Sequence, residues 1–349
     1  ASLTDLRITG TAPSSKLQLV LKSLLSVTRD RTLDYNAYEY YRASERLRLS
    51  VDRKRHGGIY AVVDSIMCPD FIHTGLKYAA GLSDDLPERA EEYFSTQFGK
   101  CDDGVLVIVG DLDPFMMKKV LPKYIGGFVT GGLPAPRPQI QYNLRSGWST
   151  YTVDTDESTV GNGDPCVNVA GTVIQPFTVD NYFISKVSEM ELRKKLASSL
   201  SETGMYFDLS SEFDQYPVEK FSVRVSCRQS DEDGLPDGVS VSDPLKVLGA
   251  VRSALSELSS GQTSSEASGL TSPALSKASV NASKATLLAQ YENQLSNPSA
   301  LVGLALLRYS GGKDLVTGWK DRINAVTPDA VKSMLSALDG GSKVEFVIY

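Results

Sequence analysis

Two stretches of this chain, roughly 240 residues apart, run through the same order of elements. Thr74-Gly75-Leu76-Lys77 is echoed by Thr317-Gly318-Trp319-Lys320, and each is followed by a proline that opens a helix, Pro87 and Pro328. Each helix then leads through a short glycine-bearing turn into an apolar strand, Val105–Val109 and Val344–Ile348. Further back, the strand-then-helix pair Leu3–Leu25 resembles Phe221–Leu258. A period this long is far outside solenoid repeats and fits a duplicated domain.

The two copies differ in what precedes the matched part. The second, beginning near Gln139, places two strands (Trp148–Val153 and Cys166–Ile174), a long helix (Val179–Leu200) and a third strand (Met205–Leu209) ahead of it. The first copy starts at Ala1, past those elements. The expected organisation is therefore an incomplete α+β domain over residues 1–130, an extended linker over 131–138 (GGLPAPRP) and a complete α+β domain over 139–349. The incomplete sheet would leave strand edges and an apolar helix face uncovered, which makes a homodimer through that open edge one expected arrangement.

Local signals support this outline. Leu17, Val20, Leu21, Leu24 and Leu25 recur at helical spacing, and the Val105–Val109 run is the pattern of a strand covered on both faces. Asp34, Asp113 and Thr327 precede helices as capping residues, the last two with proline next to them. Met205–Leu209 and Phe221–Cys227 read as a hairpin, and Ser259–Ser272 as a surface loop ahead of a helix from Pro273 to Leu295.

Composition narrows the function classes. With 349 residues, 41% hydrophobic and 22% charged, the chain is an ordinary globular one. No apolar run approaches the roughly 18 residues of a spanning helix. A net charge of −6 argues against nucleic acid as a partner. Two histidines, His56 and His73, leave almost nothing from which to build a zinc or Ser-His hydrolase. Four scattered cysteines (Cys68, Cys101, Cys166, Cys227) form no zinc or redox motif; they read as buried thiols, with a Cys166–Cys227 bridge as the alternative.

The run Val105–Pro114 (VLVIVGDLDP), the helix after it through Tyr124, Gly126-Gly127-Phe128, and the stretch Ile323–Leu338 (INAVTPDAVKSMLSAL) resemble the insulinase/pitrilysin family of metallopeptidases. They are also similar to the non-peptidase relatives in mitochondrial processing complexes. The resemblance implies repeated α+β domains, each a mostly antiparallel sheet covered on one face by helices, closing a chamber around a peptide. Active members carry His-x-x-Glu-His, which holds zinc and activates water. This sequence has no such motif: His56 and His73 stand alone, the long helix Val179–Leu200 has no histidine, and beyond Glu45-Arg46 the ligand position falls at Val51 and Asp52. No cofactor is thus expected in this chain, and zinc only in another half or a partner subunit.

The family's C-terminal half also uses an arginine and a tyrosine to reach bound peptide. Tyr206, in Thr203-Gly204-Met205-Tyr206, matches the tyrosine; the arginine's position is Ser199, and the nearest arginine is Arg193. The expected substrate-binding residues are Tyr206 and Gly204, with a half-buried strand tyrosine as the alternative reading. Tyr35, Tyr38, Tyr40 and Tyr41, the basic stretch Arg46 to Arg55 and the acidic stretches at 154–157 and 231–233 read as packing or solvated surface. The function this implies is a non-catalytic half of a zinc peptidase or processing complex, inactive alone and partnered by a catalytic half and a peptide or unfolded segment. The alternative is a catalytically dead assembly protein. Compartment is not legible.

Overall fold

The computed structural model describes residues 7–29, 34–56, 63, 65–69, 83–97, 104–128, 141–153, 166–201, 203–229, 243–264, 271–273 and 275–348. The chain separates into two units: residues 1–49, 77–140 and 295–312 form unit 1, and 50–76, 141–294 and 313–349 form unit 2. The linker at 131–138 and the segment Phe71–Tyr78 lie outside the described residues.

Unit 1 is helical where described. It holds α1 (Leu17–Arg29), the greater part of α2 (Tyr35–His56), α3 (Leu86–Gln97), α4 (Pro114–Ile125) and α8 (Pro298–Tyr309). Asp34 caps α2 by accepting from the Asn36 and Ala37 amides at 3.0 and 3.1 Å, and Asp113 caps α4 through the Phe115 amide at 2.9 Å. Two of the clustered tyrosines brace α2 against the start of α3: Tyr38 donates to the Ser83 carbonyl and Tyr35 to Glu88, both at 2.6 Å. α1 packs on α4, with Leu25 over Gly127. Among the described residues the buried apolar side chains of this unit are Leu21, Pro87, Val120 and Leu304.

Val105–Val109 was expected as a strand and is not one; the segment is coil, with Val105 and Leu106 each 42% exposed. An apolar β-branched run becomes a strand only beside other strands, because the ladder must satisfy its amides. No strand occurs in unit 1 among the described residues. Of the other expected first-copy strand, Leu3–Ile8, only Arg7 and Ile8 are described, and both are coil. The expectation of two tandem sheets is therefore not met among the described residues.

Unit 2 carries the sheet. Its strands are β1 (Gly147–Val153), β2 (Cys166–Ile174), β3 (Met205–Asp214), β4 (Lys220–Gln229) and β7 (Ser342–Ile348), in the order β1-β7-β2-β4-β3. β1 runs parallel to β7 and the other three pairings are antiparallel. α5 (Val179–Leu200), α6 (Pro244–Ser260) and α10 (Pro328–Asp339) pack together on one face, and unit 2 also holds α7 (Lys277–Leu295), α9 (Trp319–Ala325), the end of α2 and helical residues at 63 and 65–67. α5 occupies the span expected of it, opened by Thr178 Oγ1 accepting from the Asn181 amide at 3.0 Å. The Ser259–Ser272 loop differs from expectation by holding a small hairpin, β5 (Gln262–Ser264) with β6 (Thr271–Pro273).

The register sorts side chains between the two faces. Odd-numbered residues of β2, β3, β4 and β7 meet the helices: Val169, Gly171, Val223 and Val225 lie with Leu192, Val251, Leu255 and Leu338 around a small internal void. On the opposite face, Ala170, Val344, Phe346 and Ile348 pack with Val63 and Met67, so this end of the sheet is covered on both sides rather than on one. The register also explains the cysteines. Cys227 pairs with Val167, which puts Cys166 and Cys227 on opposite faces, and neither of them nor Cys68 forms a disulfide. Burial pushes the Cys227 thiol up to about 12, leaving it protonated and unreactive at neutral pH.

β7 is buried along its length yet carries Lys343 and Glu345. Glu345 Oε1 accepts from Arg252 Nε at 2.9 Å, while Oε2 accepts from Thr150 Oγ1 at 2.7 Å and from Arg252 Nη2. Lys343 pairs with Asp339 and places its ammonium 3.7 Å from the centroid of Trp148, its partner in the β1–β7 register. Buried charge is tolerable only when met this completely. Arg252→Met is expected to lower stability by about 3 kcal/mol, because it strands the Glu345 carboxylate. Adding Glu345→Met should recover part of that loss. Urea denaturation checks both, and an unchanged midpoint in the single variant would contradict the reading.

Candidate functional site

The face of the sheet turned away from α5, α6 and α10 changes character across its width. Over β1 and β7 it is apolar, with Tyr151 stacked on Phe346 at 5.2 Å between centroids. In β2 and β4 it becomes polar and buried, through Asn168, Thr172, Ser222 and Ser226. Thr172 and Ser222 share a hydrogen bond of 3.0 Å, and Asn168 Nδ2 donates to Cys166 Sγ at 3.4 Å. At β3, an edge strand among the described residues, it becomes charged and open: Tyr206, Asp208, Ser210 and Glu212 are exposed while Met205 and Leu209 between them are buried.

Tyr206 lies on this face, 62% exposed. Its direct neighbour across the β3–β4 ladder is Arg228, and the same ladder sets Asp208 opposite Ser226 and Ser210 opposite Arg224. Residues opposite each other in an antiparallel pair have Cβ atoms about 5 Å apart, so a phenol and a guanidinium stand side by side here. Gly204 holds the turn that delivers the strand; its φ of +66° is a left-handed conformation that a side chain would strain.

Arg193, the arginine nearest in sequence to the expected position, does not join Tyr206. It sits on α5, donates to the Leu209 carbonyl at 2.5 Å and pairs with Glu189 at 3.1 Å, on the helix side of the sheet. Arg228 was missed in reading the sequence. Its signal was the alternation in KFSVRVSCRQ, which sets Ser222, Arg224, Ser226 and Arg228 on one face and Phe221, Val223, Val225 and Cys227 on the other.

The chemistry available on this face is recognition. Hydroxyls, amides and guanidinium groups can bind a polypeptide backbone and its side chains. Among the described residues no three His, Cys, Asp or Glu side chains group so as to hold a metal ion. His73 and Cys101 lie outside the described residues, as do the acidic stretches at 154–157 and 231–233. No helix among the described residues is long and apolar enough to cross a membrane.

A five-stranded mixed sheet with one parallel edge pairing, backed by a long helix and two further packed helices, defines an α+β domain of the kind found in insulinase-family (M16) peptidases, and the chain is similar in structure to members of that family. A protease from Helicobacter pylori matches with a TM-score of 0.69 at 11% identity, over 96% of this chain and 78% of that one. The ferredoxin protease FusC, solved as a point mutant in complex with Arabidopsis ferredoxin, matches with a TM-score of 0.59 at 12% identity over 97% of this chain. This chain spans only 35% of FusC. A chain of complex III2 from Candida albicans matches with a TM-score of 0.61 at 12% identity, over 95% of this chain and 75% of that one. No family model matches the sequence, and neither does any curated protein.

Proposed function

We propose that this chain is a non-catalytic part of an insulinase-type peptidase or processing assembly, and that it holds a polypeptide segment on the open sheet face of unit 2. The reading rests chiefly on one observation: an insulinase-type sheet exposes Tyr206 beside Arg228 on a polar face, in a sequence with no His-x-x-Glu-His. FusC, whose fold this chain shares, was captured with a protein bound, which supports a polypeptide as the ligand. Zinc and the activated water belong to another half or a partner subunit. Residues 1–130 are read as part of a second domain of the same type.

Within this reading Tyr206 and Arg228 contact the bound segment, and Gly204 sets the strand that carries the tyrosine. The match to a complex III2 chain favours a second reading, in which the same fold serves assembly and binds no peptide.

A labelled, reduced and alkylated protein serves as the test ligand. The chain is expected to bind it, and Tyr206→Ala or Arg228→Ala to weaken binding by about tenfold, the equivalent of about 1.4 kcal/mol. Binding that is absent, or insensitive to both substitutions, would favour the assembly reading. The dialysed chain is also expected to hold no stoichiometric zinc and to cleave no peptide alone. Metal analysis finding one zinc per chain would contradict this.

A further inference from the structure

On the helix side of unit 2, α5 and α7 flank an open groove of about 760 Å³. α5 contributes Tyr182, Lys186, Met190, Arg193, Lys194 and Ala197, a stripe at helical spacing that is separate from its core-facing Phe183, Val187, Leu192 and Leu196. α5 also buries Ser185, Ser188 and Glu191 on its core side, and its outer side is mixed, without the continuous polar face of a helix that meets water alone. The floor of the groove is Leu287 and Tyr291, both buried.

The two walls differ in charge. α5 supplies three cations, and its one lining carboxylate, Glu189, is shared between Lys186 at 3.9 Å and Arg193 at 3.1 Å. Lys194 pairs with the buried Glu191, which Ser283 and Ser279 also hold at 2.6 Å each. The α7 wall offers Thr286, Gln290 and Gln294, which bear no charge. The groove thus has a net positive wall on a chain whose overall charge is −6. The part-buried Lys186–Glu189 pair is long at 3.9 Å, so an incoming carboxylate can compete for the same lysine.

We propose that this groove docks an acidic amphipathic helix of a partner polypeptide, laid between α5 and α7. Its apolar residues would cover Tyr182, Met190 and Ala197 above the buried floor, and its carboxylates would face Lys186, Arg193 and Lys194. The lined stretch of α5, Tyr182 to Ala197, is about 22 Å long, or some four turns of a docked helix. The groove lies on the opposite side of the sheet from Tyr206, so it is a second surface, independent of the polypeptide-binding face.

The test is fluorescence anisotropy with a labelled helical peptide of about 16 residues, leucine at i, i+4 and i+7 spacing and glutamate elsewhere, against the same peptide with lysine for glutamate. The full chain should bind the acidic peptide with micromolar affinity that weakens as salt rises. Lys186→Glu and, separately, Gln290→Glu should each weaken it at least about tenfold, with circular dichroism verifying the fold. Tyr206→Ala should leave it unchanged. Failure to bind the acidic peptide, equal binding of the basic one, or full affinity in both groove variants would overturn the proposal. Loss of binding to unfolded protein alone would leave this groove standing and count only against the sheet-face reading.

Discussion

Everything in unit 2 depends on β7 having a strand on each side. It lies parallel to β1 and antiparallel to β2, and its seven residues are buried throughout. Val344, Phe346 and Ile348 close one face against Val63 and Met67, while Val347 and the charged pair close the other. The turn into it is equally constrained. A Cβ on Gly341 would lie 2.4 Å from the Thr172 carbonyl, so α10 can hand over to β7 this close to β2 only through glycine. With β7 in place, Glu345 gathers Arg252 of α6 and Thr150 of β1, and Lys343 gathers Asp339 of α10 and Trp148 of β1. One central strand thereby fixes the edge strand and two of the helices that cover the sheet.

The comparison with Val105–Val109 shows what sequence alone conveys and what it omits. VLVIV is a stronger strand pattern than SKVEFVI by composition, yet the first is coil and the second is a strand paired on both sides. Pattern reports which faces a segment can bury; neighbours decide whether it forms a ladder at all. Elements defined by their own residues were legible: the span of α5, and the caps at Asp34, Asp113 and Thr327. These depend on local hydrogen bonds and helical spacing. The setting of Glu345 inside β7 was not legible, because its partners come from 93 and 195 residues away.

The candidate site divides in the same way. Tyr206 could be picked out only through the family resemblance carried by Thr203-Gly204-Met205-Tyr206. Arg228 could not, since only the β3–β4 register sets it opposite. Arg193, nearer in sequence, is drawn to the Leu209 carbonyl on the helix side, because an α5 side chain reaches only the face of the sheet on which α5 packs. The same two-sidedness separates the face proposed to hold an extended polypeptide from the groove proposed to hold a helix.

The central claim is that strand-forming sequence in this chain becomes strand only where the sheet of unit 2 supplies partners. Native-state hydrogen exchange resolved to single amides measures this directly. The amides of Val344–Ile348 should exchange only through global unfolding, and those of Val105–Val109 should exchange through local fluctuations, orders of magnitude faster. Equal, strong protection of both segments in a chain shown to be monomeric would mean that Val105–Val109 has ladder partners of its own, and would contradict the account.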